Sequence, residues 1–150
     1  MKILVTGCAG FIGANLAGRF ADENIKFIGI DNLEAPYYSS QKRRNVSEIL
    51  SAGVGEFIEG DLNDKALYRR LRGRGITHIV HLAARASVKN SNEDPNGCFN
   101  ANVFGSQNVL SFAAKNGVER IIMASTCSVY GKNPLPSTEA QGVSSPVSFY

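Results

Sequence analysis

Lys2-Ile3-Leu4-Val5-Thr6-Gly7-Cys8-Ala9-Gly10-Phe11-Ile12-Gly13-Ala14-Asn15-Leu16-Ala17 reads as a strand, a glycine loop and a helix in that order. Ile3, Leu4 and Val5 form an apolar run too short for a helix and suited to a strand buried on both faces. Glycines follow at 7, 10 and 13. Ile12, Leu16 and Phe20 then recur every four residues, which predicts the apolar stripe of a helix. Gly7 lets the chain turn sharply off the strand. Gly10 leaves no Cβ between the backbone and a bound pyrophosphate, and Gly13 lets the helix pack close to the sheet. The unbonded N–H groups of the first helical turn, at the positive end of the helix dipole, then face the phosphates. Residues Gly7, Gly10, Phe11, Ile12 and Gly13 are therefore candidates for holding a dinucleotide.

The next strand, Lys26–Ile30, ends on Asp31, a carboxylate 18 residues beyond Gly13. That is close to the roughly 20 residues at which such a group hydrogen-bonds the adenosine ribose. A carboxylate there repels a 2′-phosphate, so the expected cofactor is NAD and not NADP. Lys42, Arg43 and Arg44 follow. They lie either on the solvated face of a helix carrying Val46, Ile49 and Leu50, or beside a 2′-phosphate that Asp31 would oppose at short range. After a third strand at Glu56–Ile58, Asp61 can accept from the adenine amino group while Leu62 covers the ring. Asp61 can equally cap the helix carrying Ala66, Leu67 and Leu71. Arg69, Arg70, Arg72 and Arg74 crowd the end of that helix, where cations oppose the negative pole.

Thr77–Leu82 is the fourth strand, and Leu82, Ala83, Ala84 and Ala86 leave space at its carboxyl end where a dinucleotide must cross. His78 and His81 are three apart on a strand, so they point to opposite faces and cannot share a metal. No metal site is expected, and His81 reads as a hydrogen-bonded core residue. Asp94-Pro95 starts a helix carrying Phe99, Val103, Leu110 and Ala114 and ending at Gly117. Val118–Ala124 is the fifth strand, and Lys132–Val147 is a loop rich in Pro and Ser. Alternating strands and helices imply one α/β domain over residues 1–150, a doubly wound parallel sheet with right-handed crossovers.

Composition sets bounds on function. The chain has 150 residues, 43% hydrophobic and 19% charged, which is ordinary for a globular domain. A net charge of +3 is too small to argue for nucleic acid or a membrane surface. No apolar run approaches the roughly 20 residues of a membrane span. A strand beginning at Lys2 leaves no room for a signal peptide. Cys8, Cys98 and Cys127 are odd in number and scattered, which fits a reducing cytoplasm and no disulfide framework.

Thr6-Gly7-Cys8-Ala9-Gly10-Phe11-Ile12-Gly13 resembles the T-G-x-x-G-[FY]-I-G signature of the extended short-chain dehydrogenase/reductases, the nucleotide-sugar epimerase and dehydratase group. Ser125-Thr126-Cys127-Ser128-Val129-Tyr130-Gly131 resembles that group's S-[ST]-x-x-V-Y-G run. Ser145-Pro146-Val147-Ser148-Phe149-Tyr150 is similar to the segment carrying its catalytic tyrosine. The resemblance implies a Rossmann-like fold, NAD as cofactor, a UDP-sugar substrate and a homodimer that uses the helix containing Asn102. It also implies that Thr126 and Tyr150, not Tyr130, are catalytic. Asp31 and Asn32 would lie at the adenosine half of the cofactor, Asn102 and Tyr150 at the nicotinamide half, and Ser87, Thr126, Cys127 and Ser128 at the sugar.

The implied chemistry has a physical requirement. A phenol with a pKa near 10 is a poor base at neutral pH until nearby positive charge lowers it. In the group that charge comes from the oxidised nicotinamide and from a lysine four residues after the tyrosine. The chain ends at Tyr150, about half of a typical member, and reads as an N-terminal fragment without activity of its own. Asp31-Asn32-Leu33, Tyr37-Tyr38 and Pro146–Tyr150 look most like the branch acting on UDP-glucuronate; there an arginine is expected where Lys89 stands. Cys127-Ser128 replaces the Asp-Glu pair of the dehydratases, which disfavours dehydration. A non-catalytic dinucleotide-binding module is the alternative from another class, and an NADP-linked reductase is opposed by Asp31.

Overall fold

The computed structural model describes residues 1–34, 39–143 and 146–150. Tyr37, Tyr38 and Ser145, on which part of the resemblance rests, lie outside the described residues. Five strands form one sheet: β1 (Ile3–Thr6), β2 (Phe27–Asp31), β3 (Gly55–Glu59), β4 (His78–His81) and β5 (Arg120–Met123). Their order is β3-β2-β1-β4-β5, and every neighbouring pair is parallel. Thr6 lies level with Ile30 on one side and His81 on the other, so the carboxyl ends of the three central strands are flush.

Strand periodicity divides the core between two layers of helices. Leu4, Ile28, Ile30, Ile58 and Ile79 pack with Leu67 and Leu71 of α3 (Lys65–Leu71) and with Val109 and Phe112 of α6 (Gly105–Lys115). Ile3, Val5 and Phe27 face the other way, against Ala17 and Phe20 of α1 (Phe11–Asp22) and Ile49 of α2 (Ser39–Ser51). This is the doubly wound, Rossmann-like arrangement expected from the alternation of elements. Two short helices, α4 (Val88–Glu93) and α5 (Pro95–Phe99), precede a π-helical turn at Asn100–Phe104 that runs directly into α6. A 3-10 turn, Cys127–Tyr130, follows β5.

The structure alters several expected details. Buried positions of α1 are Gly13, Ala17 and Phe20. Ile12, expected on the apolar stripe, is exposed. In α2 the core-facing residues are Asn45 and Ile49, while Leu50 points outward. Asp61 does not cap α3. Asp64 does, its side chain accepting from the Ala66 amide at 2.8 Å. The α5–α6 segment buries Cys98, Val109, Phe112 and Ala113, whereas Phe99, Val103 and Leu110 are on its exposed side. The π turn admits an i to i−5 bond, from the Gly105 amide to the Asn100 carbonyl, and a fixed 3.6-residue stripe does not describe such a segment.

Candidate functional site

Strand order reverses direction between β1 and β4, and the crevice outside that switch point is where open parallel sheets bind ligands. Gly7 leaves β1 with φ +71°, in the left-handed region where glycine is at ease. A Cβ at Gly7 would lie 2.7 Å from the Ala83 nitrogen, so the loops after β1 and β4 touch backbone to backbone. A Cβ at Gly13 would collide with the Gly7 carbonyl and lie 2.7 Å from the Cys8 Cα. Gly13 therefore lets the first turn of α1 close onto the glycine turn at the end of β1, while Ala17 and Phe20 of the same helix pack on the sheet.

Gly10 is the N-cap of α1 and has no side chain with which to cap it. The N-termini of α3, α4 and α5 are instead capped by Asp64, Ser87 and Asp94. Among the described residues the first-turn amides of α1 thus have no side-chain acceptor, and Phe11 and Ile12 stand exposed beside them. This is an anion cradle of the kind a pyrophosphate fills.

Asp31 is buried at the end of β2, and each carboxylate oxygen is engaged. One accepts from the Ala9 amide at 3.1 Å; the other accepts from the Leu33 amide at 2.9 Å and from Lys42 Nζ at 2.8 Å. Asn45 of α2 donates to the Ala9 carbonyl at 2.8 Å, so the Ala9 peptide is held at both ends. Lys42 also donates to the Glu34 carbonyl at 3.1 Å. It therefore sits on Asp31 and not on the solvated helix face, whereas Arg43 and Arg44 are exposed. Burial first, then the Asp31 charge, pushes the Cys8 thiol in this loop up to about 12, which keeps it protonated and inert.

On the same rim, Asp61 accepts from Asn32 Nδ2 at 3.2 Å and from the Asn63 amide at 2.7 Å, which joins the exits of β2 and β3. Leu62 is buried in the core, and its carbonyl accepts from the Tyr68 hydroxyl at 2.8 Å. Its side chain packs against Gly105 of α6. Beyond β4, Leu82 and Ala83 are half-buried and Ala84 and Ala86 exposed. Asn102, within the π turn, accepts from the Arg85 amide at 2.8 Å and donates to the Arg85 carbonyl at 3.4 Å. Arg85 pairs with Asp94 at 2.6 Å across Gly97, where a Cβ would collide with both side chains. The Gly97 amide, and then Arg85, hold the Asp94 carboxyl below its ordinary range.

The distal residues form a separate group. Thr126 caps the 3-10 turn, its hydroxyl accepting from the Ser128 amide at 3.1 Å. That turn carries Ser128 and Val129 to the wall of a cavity of about 390 Å³, which Pro146, Ser148 and Tyr150 also line. The segment bearing Tyr150 is tied back to the π turn. Cys98 donates to the Phe149 carbonyl at 3.7 Å and accepts from Asn102 Nδ2 at 3.4 Å. Ser87 stands elsewhere, capping α4 by accepting from the Asn90 amide at 3.1 Å. Lys89 is exposed near Glu93, and Cys127 is an exposed free thiol. Cys98, Asn45 and Lys42 are participants that the sequence did not single out for these contacts. Only Lys42, by its closeness to Asp31, carried a signal.

The topology places the chain in the Rossmann-like class of doubly wound α/β proteins. Within that class it belongs to the NAD dependent epimerase/dehydratase family, which matches residues 3–150. It is 39% identical, over 99% of its length, to an uncharacterized protein of Methanocaldococcus jannaschii, and covers 47% of that protein. It is 35% identical to UDP-glucuronate 4-epimerase 4 of Arabidopsis thaliana, covering all of this chain and 35% of the plant enzyme. Among solved structures it is similar to the UDP-glucuronic acid 4-epimerase from Bacillus cereus in complex with UDP-glucuronic acid and NAD. That likeness has a TM-score of 0.89 and 30% identity over 99% of this chain and 47% of that one. The chain thus spans about half, or less, of the length of the proteins it matches.

Proposed function

We propose that residues 1–150 form the NAD-binding domain of a nucleotide-sugar 4-epimerase acting on UDP-glucuronate or a related UDP-hexose. The observation that carries this reading is the uncapped first turn of α1, closed onto a glycine turn at the switch point and set beside a buried carboxylate. The cradle fits a dinucleotide: Gly10, Phe11, Ile12 and Gly13 would take the pyrophosphate on backbone amides. Asp31 has roughly four acceptor positions, of which three are filled, and would offer the last to an adenosine ribose hydroxyl. Asn32 and Asp61 lie on the adenine side, and Ala83, Ala84, Ala86 and Asn102 on the nicotinamide side.

When bound, NAD supplies a reversible acceptor for the hydride of the sugar's C4. Tyr150 would remove the C4 hydroxyl proton, and Thr126 would hold that hydroxyl and keep it aligned with the phenol. Ser128 and Cys127 would contact the sugar from the 3-10 turn, and Ser87 from the start of α4. The Phe99–Leu110 helix face would meet a second subunit in the complete protein, which is read as a cytoplasmic homodimer. Calorimetric titration of residues 1–150 with NAD tests the cofactor half of the proposal. Saturable binding is expected, with loss of at least about tenfold, or 1.4 kcal/mol, in Gly13→Val, whose side chain fills the closure. Absence of binding by the unmodified chain contradicts it.

A further inference from the structure

A string of polar side chains lies buried beneath the Ala83–Ala86 loop, and none of the roles above uses its central member. The Ala83 amide donates to Thr6 Oγ1 at 3.3 Å. Thr6 Oγ1 and His81 Nδ1 are 2.6 Å apart, and His81 Nε2 is 2.8 Å from Ser106 Oγ. Ser106 Oγ donates to the Asn102 carbonyl at 2.6 Å, inside the π turn. Thr6 and His81 are almost wholly buried.

Donor and acceptor chemistry fixes every proton in this string. A carbonyl only accepts, so Ser106 spends its one hydrogen on Asn102 and can only accept from the ring. His81 Nε2 therefore carries a hydrogen. At the other end the Ala83 amide only donates, so Thr6 Oγ1 accepts there and gives its own hydrogen to a bare Nδ1. The ring is thus the neutral Nε2–H tautomer. A second proton, on Nδ1, would aim two donors at Thr6 Oγ1 and leave the Thr6 hydroxyl hydrogen without its acceptor in a buried site.

We propose that neutral His81 is a positioning residue of the dinucleotide site. Through Thr6 it holds the Ala83 amide against the Gly7 turn, and through Ser106 it holds the π turn from which Asn102 clasps Arg85. The inference rests on reading the β1–β4 crossing as the cofactor site. Thr6 faces the ring from β1, Ser106 and the Asn102 carbonyl face it from the helix, and Met123 is level with it on β5. None of these titrates. Burial alone holds the ring's proton affinity below the ordinary histidine range. The string is intact at neutral pH and breaks as pH falls through that lowered value.

The test uses residues 1–150 without nucleotide and measures hydrogen-exchange protection of the Ala83 and Arg85 amides, corrected for intrinsic rates, from about pH 7.5 down to the lowest pH at which the chain stays folded. NAD is titrated at the same pH values. The unmodified chain should lose at least about fivefold in protection at both amides on acidification, and about tenfold in NAD affinity. His81→Gln keeps a donor near the Nε2 position and cannot take up a proton. Its protection should be lower at neutral pH and independent of pH. Ser106→Ala should lower Arg85 protection at every pH while Ala83 stays pH-sensitive, and it serves where His81→Gln does not fold. Protection of the unmodified chain that does not change with pH overturns the proposal whatever NAD does, as does an unchanged pH slope in His81→Gln. Predicted loss of protection with no NAD binding at neutral pH overturns the cofactor reading and upholds the string.

Discussion

Asp31 is the residue on which cofactor choice turns, and the structure gives it two tasks. It fixes the glycine loop through the Ala9 amide, and it presents the carboxylate that a ribose would meet. Lys42 shares that carboxylate, so the negative charge that repels a 2′-phosphate is partly offset. The net result should still favour NAD over NADP by at least about tenfold, roughly 1.4 kcal/mol. Asp31→Ala should narrow the gap and weaken both nucleotides, because Ala9 loses an acceptor. Lys42→Met should widen it. Competitive titration with the two nucleotides measures each ratio, and a Lys42→Met protein with a narrower gap would mean that Lys42 does not act on the phosphate through Asp31. Asp31 was legible in the sequence because strand length and loop length fix the distance from Gly13. Its contact with Lys42 was not, since a lysine on a helix end can turn toward solvent or inward, and only packing decides between them.

Among the elements, those governed by local rules were the most readable. The strand–turn–helix at the amino end follows from glycine spacing, and the α5 start follows from Asp94-Pro95, whose side chain does accept from the Gly97 amide at 2.9 Å. The start of α3 shows where such rules run out. Asp61 and Asp64 are both competent caps, and the choice depends on Asp61 being drawn toward Asn32 on the neighbouring strand exit. Asp64→Ala should therefore cost about 1 kcal/mol in urea unfolding, and Asp61→Ala a few tenths at most. The reverse order would show that the helix begins one turn earlier. The π turn had no signature in Asn100–Phe104, because it arises from tertiary demands. Asn63 Nδ2 reaches the Asn100 carbonyl at 3.1 Å from the exit of β3, and His81 of β4 engages Ser106, which bonds back to the Asn102 carbonyl within the helix. Such turns recur at functional sites, and here it carries Asn102 to the loop after β4.

For the whole molecule, topology, the two-sided core and the open edge at the fifth strand follow from the alternation of strands and helices, whereas which apolar side chains stand exposed is decided by packing. Edge strand β5 exposes Ile122 and Met123, and the α5–α6 segment exposes Phe99, Val103, Phe104 and Leu110. An unpaired edge and an uncovered apolar face favour weak, heterogeneous association of residues 1–150. Sedimentation should show a concentration-dependent mixture, and a tight monodisperse dimer would mean that one of these faces closes on itself.

The relatives are at least twice as long as this chain, so the same 150 residues should bind the cofactor without positioning a sugar, a deficit that can reach roughly 7–11 kcal/mol. The most direct measurement is to incubate UDP-glucuronate and NAD with the complete product of the gene, with its Tyr150→Phe variant, and with residues 1–150, then separate the epimers by chromatography. The proposed function predicts UDP-galacturonate from the complete product, a loss of about a hundredfold or more in the variant, and none from residues 1–150. UDP-galacturonate formed by residues 1–150 at a comparable rate, or an unchanged rate in Tyr150→Phe, would contradict it.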